Sequence, residues 1–187
     1  MEGVTKRVNK KGDTVYEMHL DFIRGFIVGA DLKLPPSDHP EYGKTIELKI
    51  EAENGAQCVL QIPFDSAYAR GFLYSSPNMD LSQPVEIEPY QYFSKKKGRD
   101  ATGLSLFQNG EKLDWAYGTK DNPGGIPPLK RVKFKGQETW DNSDQLAALE
   151  QKYMEFCALF KDVQAEAVPA SEPEPQAEAA PAAGDDF

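Results

Sequence analysis

The stretch KTIELKIEAENGAQCVLQIPF sets the strongest limit on the fold. In its first half Ile46, Leu48 and Ile50 alternate with Glu47 and Lys49. That two-residue period belongs to a strand with one buried face. Asn54-Gly55 then interrupts the run. Both residue types accept the positive φ of a tight hairpin turn, so the apolar run from Cys58 to Phe64 is expected to return as the partner strand. A chain built around such a unit has an antiparallel sheet at its centre.

The same pattern recurs on both sides. DTVYEMHLDFIRGFIVGADLKL is rich in Val, Ile, Phe and Tyr and broken by Gly25 and Gly29. It predicts a long strand or a strand pair, with a bend or bulge at glycine. DSAYARGFLYSS predicts a short helix with Asp65 as N-cap and Ala67, Tyr68, Phe72 and Leu73 inward. VEIEPYQYF is a further strand, KKKGRDA a basic turn, and TGLSLFQNGEKLDWAY a hairpin about Asn109-Gly110. LKRVKFKG is a short basic alternating segment. Asn142 then caps a helix, with Gln145 in the capping-box position and Leu146, Leu149, Tyr153, Phe156 and Leu159 at helical spacing. Together these predict an all-β domain with minor α content. The expected form is a five-stranded Greek-key barrel of the oligonucleotide/oligosaccharide-binding (OB) type, with a short helix between strands three and four and a C-terminal helix. A β-sandwich is the competing all-β answer. Residues 1–163 form the expected domain. Residues 164–187 are Pro, Ala and Glu with no large apolar group between Val168 and Phe187, a composition that predicts a disordered acidic tail.

The net charge of −9 is unevenly placed. Six acids and no base lie from Ala165 onward, which leaves −3 for all the rest. The low pI therefore describes the tail, and it does not exclude nucleic-acid binding by the body. No apolar run is long enough to span a bilayer, and the first residues lack the apolar core of a secretory leader. The expectation is a cytoplasmic protein, in a bacterial host's cytoplasm if phage-encoded. Cys58 and Cys157 are expected as reduced core residues, and with His19 and His39 they make no zinc spacing. No phosphate-cradling glycine loop, dinucleotide fingerprint or nucleophile elbow occurs. Asp100, Asp114 and Asp121 are close in sequence, but nothing fixes a metal geometry among them. No catalytic residue, metal or cofactor is expected, and the balance favours a binding protein.

Between Tyr90 and Lys135 ten bases face four acids. The candidate binding residues are Tyr90, Tyr92, Phe93, Lys95, Lys96, Lys97, Arg99, Phe107, Trp115, Tyr117, Lys130, Arg131, Lys133 and Lys135. Single-stranded nucleic acid calls for this mixture: cations for phosphates, and aromatic faces on which unpaired bases stack. In LKRVKFKG, Leu129, Arg131, Lys133 and Lys135 share one face, which suits a phosphate track. The competing reading is a solvated basic hairpin whose aromatics belong to the core.

A basic, aromatic body of OB type, a Pro/Ala/Glu linker and a terminal Gly-Asp-Asp-Phe together resemble the single-stranded DNA-binding proteins of bacteria and bacteriophages. NMDLSQPVEIEPYQYF and TGLSLFQNGEKLDWAY also look like such proteins from phages and mobile elements of gut Bacteroides-type bacteria. The resemblance implies a non-catalytic protein that coats single-stranded DNA in replication, recombination and repair. It implies that Asp185, Asp186 and Phe187 dock on a polymerase, helicase or primase, the ring filling an apolar pocket and the carboxylates meeting bases around it. The acidic run lacks the Pro and the additional aspartates of the usual bacterial tip. Such proteins occur as monomers, dimers or tetramers, so homo-oligomerisation stays open. Two rivals stand beside this reading. One is an all-β interaction or scaffold protein with a solubilising tail. The other is a small replication or repair enzyme with an unrecognised site.

Overall fold

The computed structural model describes residues 4–18, 20–96, 98–119, 122–134 and 136–166. Of the expected tail, residues 164–166 are helical, as the end of the C-terminal helix, and residues 167–187, with Asp185, Asp186 and Phe187, lie outside the described residues, as do Lys97 and Lys135. Among the described residues ten strands run in chain order: β1 Val4–Val8, β2 Thr14–Met18, β3 Ile23–Lys33, β4 Thr45–Glu51, β5 Gln57–Pro63, β6 Val85–Ser94, β7 Arg99–Gln108, β8 Glu111–Lys112, β9 Lys130–Phe134 and β10 Gln137–Asp141. Helix α1, Ala67–Ser75, falls between β5 and β6, and α2 spans Ser143–Glu166.

Six strands form one antiparallel sheet in the order β5-β4-β3-β6-β7-β8, while β1-β2 and β9-β10 are separate hairpins. Strand β3 is the hinge of the sheet. Its first residues, Ile23 to Gly25, pair with β6, and the rest pairs with β4. The register slips between Ile27 and Gly29, a bulge that bends the strand between its two neighbours. Both Asn-Gly pairs fall in hairpin connections, the first a five-residue loop with Gly55 at φ 79° and Asn54 outside the left-handed region, the second the tight turn that the sequence predicts. Asn109 and Gly110 hold φ of 54° and 79°, the left-handed pair that a two-residue hairpin loop demands.

The expected closed barrel is not formed. Among the described residues no pairing joins β5 to β7 or β8, so the sheet is open. Helix α1 lies against β7. The gap between β5 and β6 holds an apolar hollow of about 340 Å³, lined among others by Leu60, Ile62, Tyr68 and Ile87. The mostly β composition with two helices stands.

The core is continuous. Ile46, Leu48 and Leu106 are fully buried, and Phe72 of α1 meets Phe156 of α2 edge-on at 5.6 Å. The N-cap of α1 is Ser66, not Asp65, and its hydroxyl accepts from the Ala69 amide at 3.1 Å. Gln145 makes no capping box. Its amide donates to the Pro127 carbonyl at 2.8 Å and so ties α2 to the loop before β9. On α2 the buried stripe is Leu149, Tyr153, Phe156, Cys157 and Phe160, and Leu159 is 54% exposed. Position 159 follows Phe156 by three, but the stripe advances by four to 160, which turns Leu159 toward water. Cys157 is buried as expected, whereas Cys58 is exposed on edge strand β5. No helix among the described residues is long and apolar enough to cross a membrane.

Tyr153 carries a testable consequence. It is fully buried, and its hydroxyl donates to the Asp31 carbonyl at 3.0 Å with the Glu47 carbonyl at 3.3 Å. Burial pushes its pKa well up, and burial likewise pushes Tyr117 up to about 12. Both groups are folded in their neutral form. Their stabilisation is therefore complete below the ordinary tyrosine pKa of about 10, and it is lost as pH rises through the folded value. The melting temperature should hold between pH of about 7 and 9.5 and fall from about 10 upward. Tyr153→Phe should start lower and fall less steeply. A Tm that stays level up to pH of about 12 contradicts the burial of both hydroxyls.

Candidate nucleic-acid interface

The site is built on the β6–β7 hairpin. Register sets Tyr90 opposite Gly103 and Tyr92 opposite Ala101. Two residues apart on a strand, the tyrosines share one face, and their small partners leave that face open to the rings. The Tyr90 ring lies over Gly103: a Cβ placed there would come within 2.3 Å of the Tyr90 hydroxyl. The two rings stack at 6.0 Å with 28° between planes, and Lys112 Nζ stands 5.9 Å from the Tyr90 centroid. Tyr92 is 58% exposed. At the hairpin tip Lys95 and Lys96 are exposed.

The opposite wall comes from α1 and the segment after β8. Tyr74 meets Trp115 edge-on at 5.1 Å. The segment is tied to the helix end by the Ala116 amide donating to the Tyr74 carbonyl at 2.7 Å. The Asn78 amide adds a bond to the Asp114 carbonyl at 2.9 Å. These bonds hold Trp115 in place while leaving it 46% exposed.

Between the walls runs a groove of about 620 Å³, lined by Arg70, Tyr74, Tyr90, Tyr92, Arg99 and Trp115. Leu129 and Gln145 also border it. A second hollow of about 470 Å³ shares Tyr90 and Trp115 and adds Lys112. Those two rings therefore have grooved surface on both sides. Asp100 is the one carboxylate among the described residues that line the larger groove, and the Gln91 amide donates to it at 3.1 Å. Two guanidiniums and four aromatic rings around an open groove can hold a chain of alternating flat rings and anions.

The structure brings Tyr90, Tyr92, Arg99 and Trp115 of the expected residues into this groove, with Lys95 and Lys96 at its hairpin tip. It separates others. Phe93 is 62% exposed but alternates to the other face of β6 from Tyr92. Phe107 is half-buried and borders neither hollow. Tyr117 corrects the sequence reading: it is buried, edge-on to Tyr74 at 5.7 Å, with Lys152 Nζ 4.5 Å from its centroid. It packs in the core and is closed to a base. On β9, Lys130 pairs with Asp144 and Arg131 with Glu138 at 3.4 Å, so the expected phosphate track is partly neutralised within the fold. Lys133 is exposed opposite Glu138.

Sequence reasoning missed Arg70, Tyr74, Leu129 and Gln145. Arg70 and Tyr74 differ by four, so they lie on one side of a helix, and that spacing was the available signal. No cluster of three His, Cys, Asp or Glu side chains among the described residues can hold a metal ion. Compared with known proteins, the chain matches no family model, no curated protein and no solved structure.

Proposed function

We propose that the chain binds single-stranded DNA through this groove, without strong sequence preference and without catalysis. The observation that carries the reading is the set of groove-lining rings, exposed Tyr92 and Trp115 with half-buried Tyr90, beside Arg70 and Arg99. Such rings accept the face of any unpaired base, while guanidiniums meet the phosphates. A duplex hides those faces in its stack, so selectivity for single strands follows from geometry.

The strand order lends support. Within the six-stranded sheet, β5-β4-β3-β6-β7 is the order of an OB barrel unrolled at the seam between its third and fifth strands, and α1 lies between the third and fourth. OB domains bind oligonucleotides on such sheets and are often only partly closed. On this reading the protein covers exposed strands during replication, recombination or repair. Asp185, Asp186 and Phe187 are assigned, on sequence resemblance alone, to docking replication enzymes.

The test is fluorescence anisotropy with labelled oligo-dT, its duplex counterpart and oligo-U, each at two salt concentrations. Oligo-dT should bind far more tightly than duplex. Its affinity should fall with salt by a log–log slope of about −0.7 for each phosphate neutralised. Equal affinity for duplex, or none for single strands in low salt, overturns the reading and leaves the interaction-protein alternative. Tighter binding to oligo-U moves the substrate from DNA to RNA.

A further inference from the structure

The β9–β10 hairpin stands at one end of the groove. Leu129, the residue before β9, lines the groove wall. Alternation points Leu129 and Arg131 to the same side of the chain, with Cα atoms about 7 Å apart. Register then places Trp140 directly opposite Arg131. The guanidinium carbon lies 4.8 Å from the Trp140 ring centroid. The indole is nevertheless 58% exposed. The surface that begins at Leu129 thus continues outward as an arginine laid on a tryptophan.

Arg131 also pairs with Glu138 at 3.4 Å, and both side chains are about two-thirds exposed, at 66% and 61%. An exposed pair of that kind is worth little, so the guanidinium can exchange the carboxylate for a phosphate. The hairpin packs only slightly on the other elements, so packing against the sheet or the helices does not account for Trp140.

We propose that Trp140 and Arg131 form a second stacking platform for single-stranded nucleic acid. A strand leaving the groove past Leu129 lays a further base on the indole and sets a phosphate on the guanidinium. This rests on the proposed binding of single strands in the groove.

The sequence contains two tryptophans, one in the groove and one on the hairpin. Trp115→Phe leaves Trp140 as the sole indole reporter, and Trp140→Phe leaves Trp115. Each variant is titrated with oligo-dT, with anisotropy of a labelled oligonucleotide fixing saturation. Base stacking quenches indole emission, so Trp140 emission should fall in Trp115→Phe as sites fill. Trp140→Ala should weaken affinity by about tenfold, the effect of removing one stacked base, and Trp140→Phe should restore most of it. If Trp115 is quenched in Trp140→Phe while Trp140 is unmoved at saturation, the platform is refuted and the groove reading survives. If the wild type fails to bind oligo-dT at all, both fall. Should Trp140→Ala not fold, the two phenylalanine variants still decide through quenching.

Discussion

Replacing Tyr90, Tyr92 and Trp115 together by alanine is expected to weaken binding to oligo-dT by at least about a hundredfold. Each stacked base contributes on the order of 1–3 kcal/mol, and three neighbouring rings lose less than their sum because they serve one strand. The loss should leave the salt dependence unchanged, since no phosphate partner is removed. Replacing Lys95, Lys96 and Arg99 by alanine should do the reverse. Affinity then falls mainly at low salt, and the log–log slope flattens by about 0.7 for each phosphate that is no longer neutralised. Folding should survive both changes, because Tyr92 and Trp115 are about half exposed, at 58% and 46%, and the turn lysines are exposed. Circular dichroism and melting verify that. A triple variant that unfolds assigns the rings to the core. One that folds and binds like wild type removes the groove from the interface.

Local chemistry decided what was legible in the sequence. The two Asn-Gly turns and the glycine bulge of β3 depend on backbone freedom at named residues, and they are found where the pattern puts them. The α1 and α2 stripes are legible to within a residue. Ser66 displaces Asp65 as the cap because its hydroxyl reaches the Ala69 amide, a choice between adjacent cap-forming residues that spacing alone does not make. Barrel closure has no local signature. It depends on whether β5 and β7 meet after the sheet has curled, and those strands are separated in the chain by α1 and β6. Strand β10 reads QETWD, with no alternating apolar face to give it away. Within the site, Tyr90 and Tyr92 are legible from their alternation. Trp115 and Tyr117 have the same spacing in one loop, yet one faces the groove and the other enters the core. Their difference comes from the bonds of Ala116 and Asp114 to the end of α1 and the turn after it, which no sequence pattern encodes.

Two glycines near the site should respond to a methyl group in opposite ways. Gly71 sits inside α1, and a Cβ there would lie 2.5 Å from the carbonyl oxygen and 3.0 Å from the amide nitrogen of Leu104. Both are backbone atoms of β7, a strand held along its length by β6, and neither can step aside. An alanine in an exposed helix interior would gain about 1 kcal/mol over glycine. Overpacking against fixed backbone costs about 1–3 kcal/mol or more, so at this position the steric cost wins. Gly71→Ala should destabilise the fold by about 2 kcal/mol, lowering Tm by roughly 4–8 °C at this chain length. At Gly103 the three atoms nearest to an added Cβ all belong to the Tyr90 ring, with its hydroxyl at 2.3 Å. A side chain can rotate away, so Gly103→Ala should leave Tm nearly unchanged while displacing the Tyr90 ring from its seat. Oligo-dT affinity should then fall by about tenfold, close to the loss from Tyr90→Ala itself. The double variant Gly103→Ala/Tyr90→Ala should bind no worse than either single change, since both act on one ring. Additive losses in that cycle show that Gly103 does not act through the Tyr90 ring. A Tm for Gly71→Ala at or above wild type shows that α1 does not rest this closely on β7.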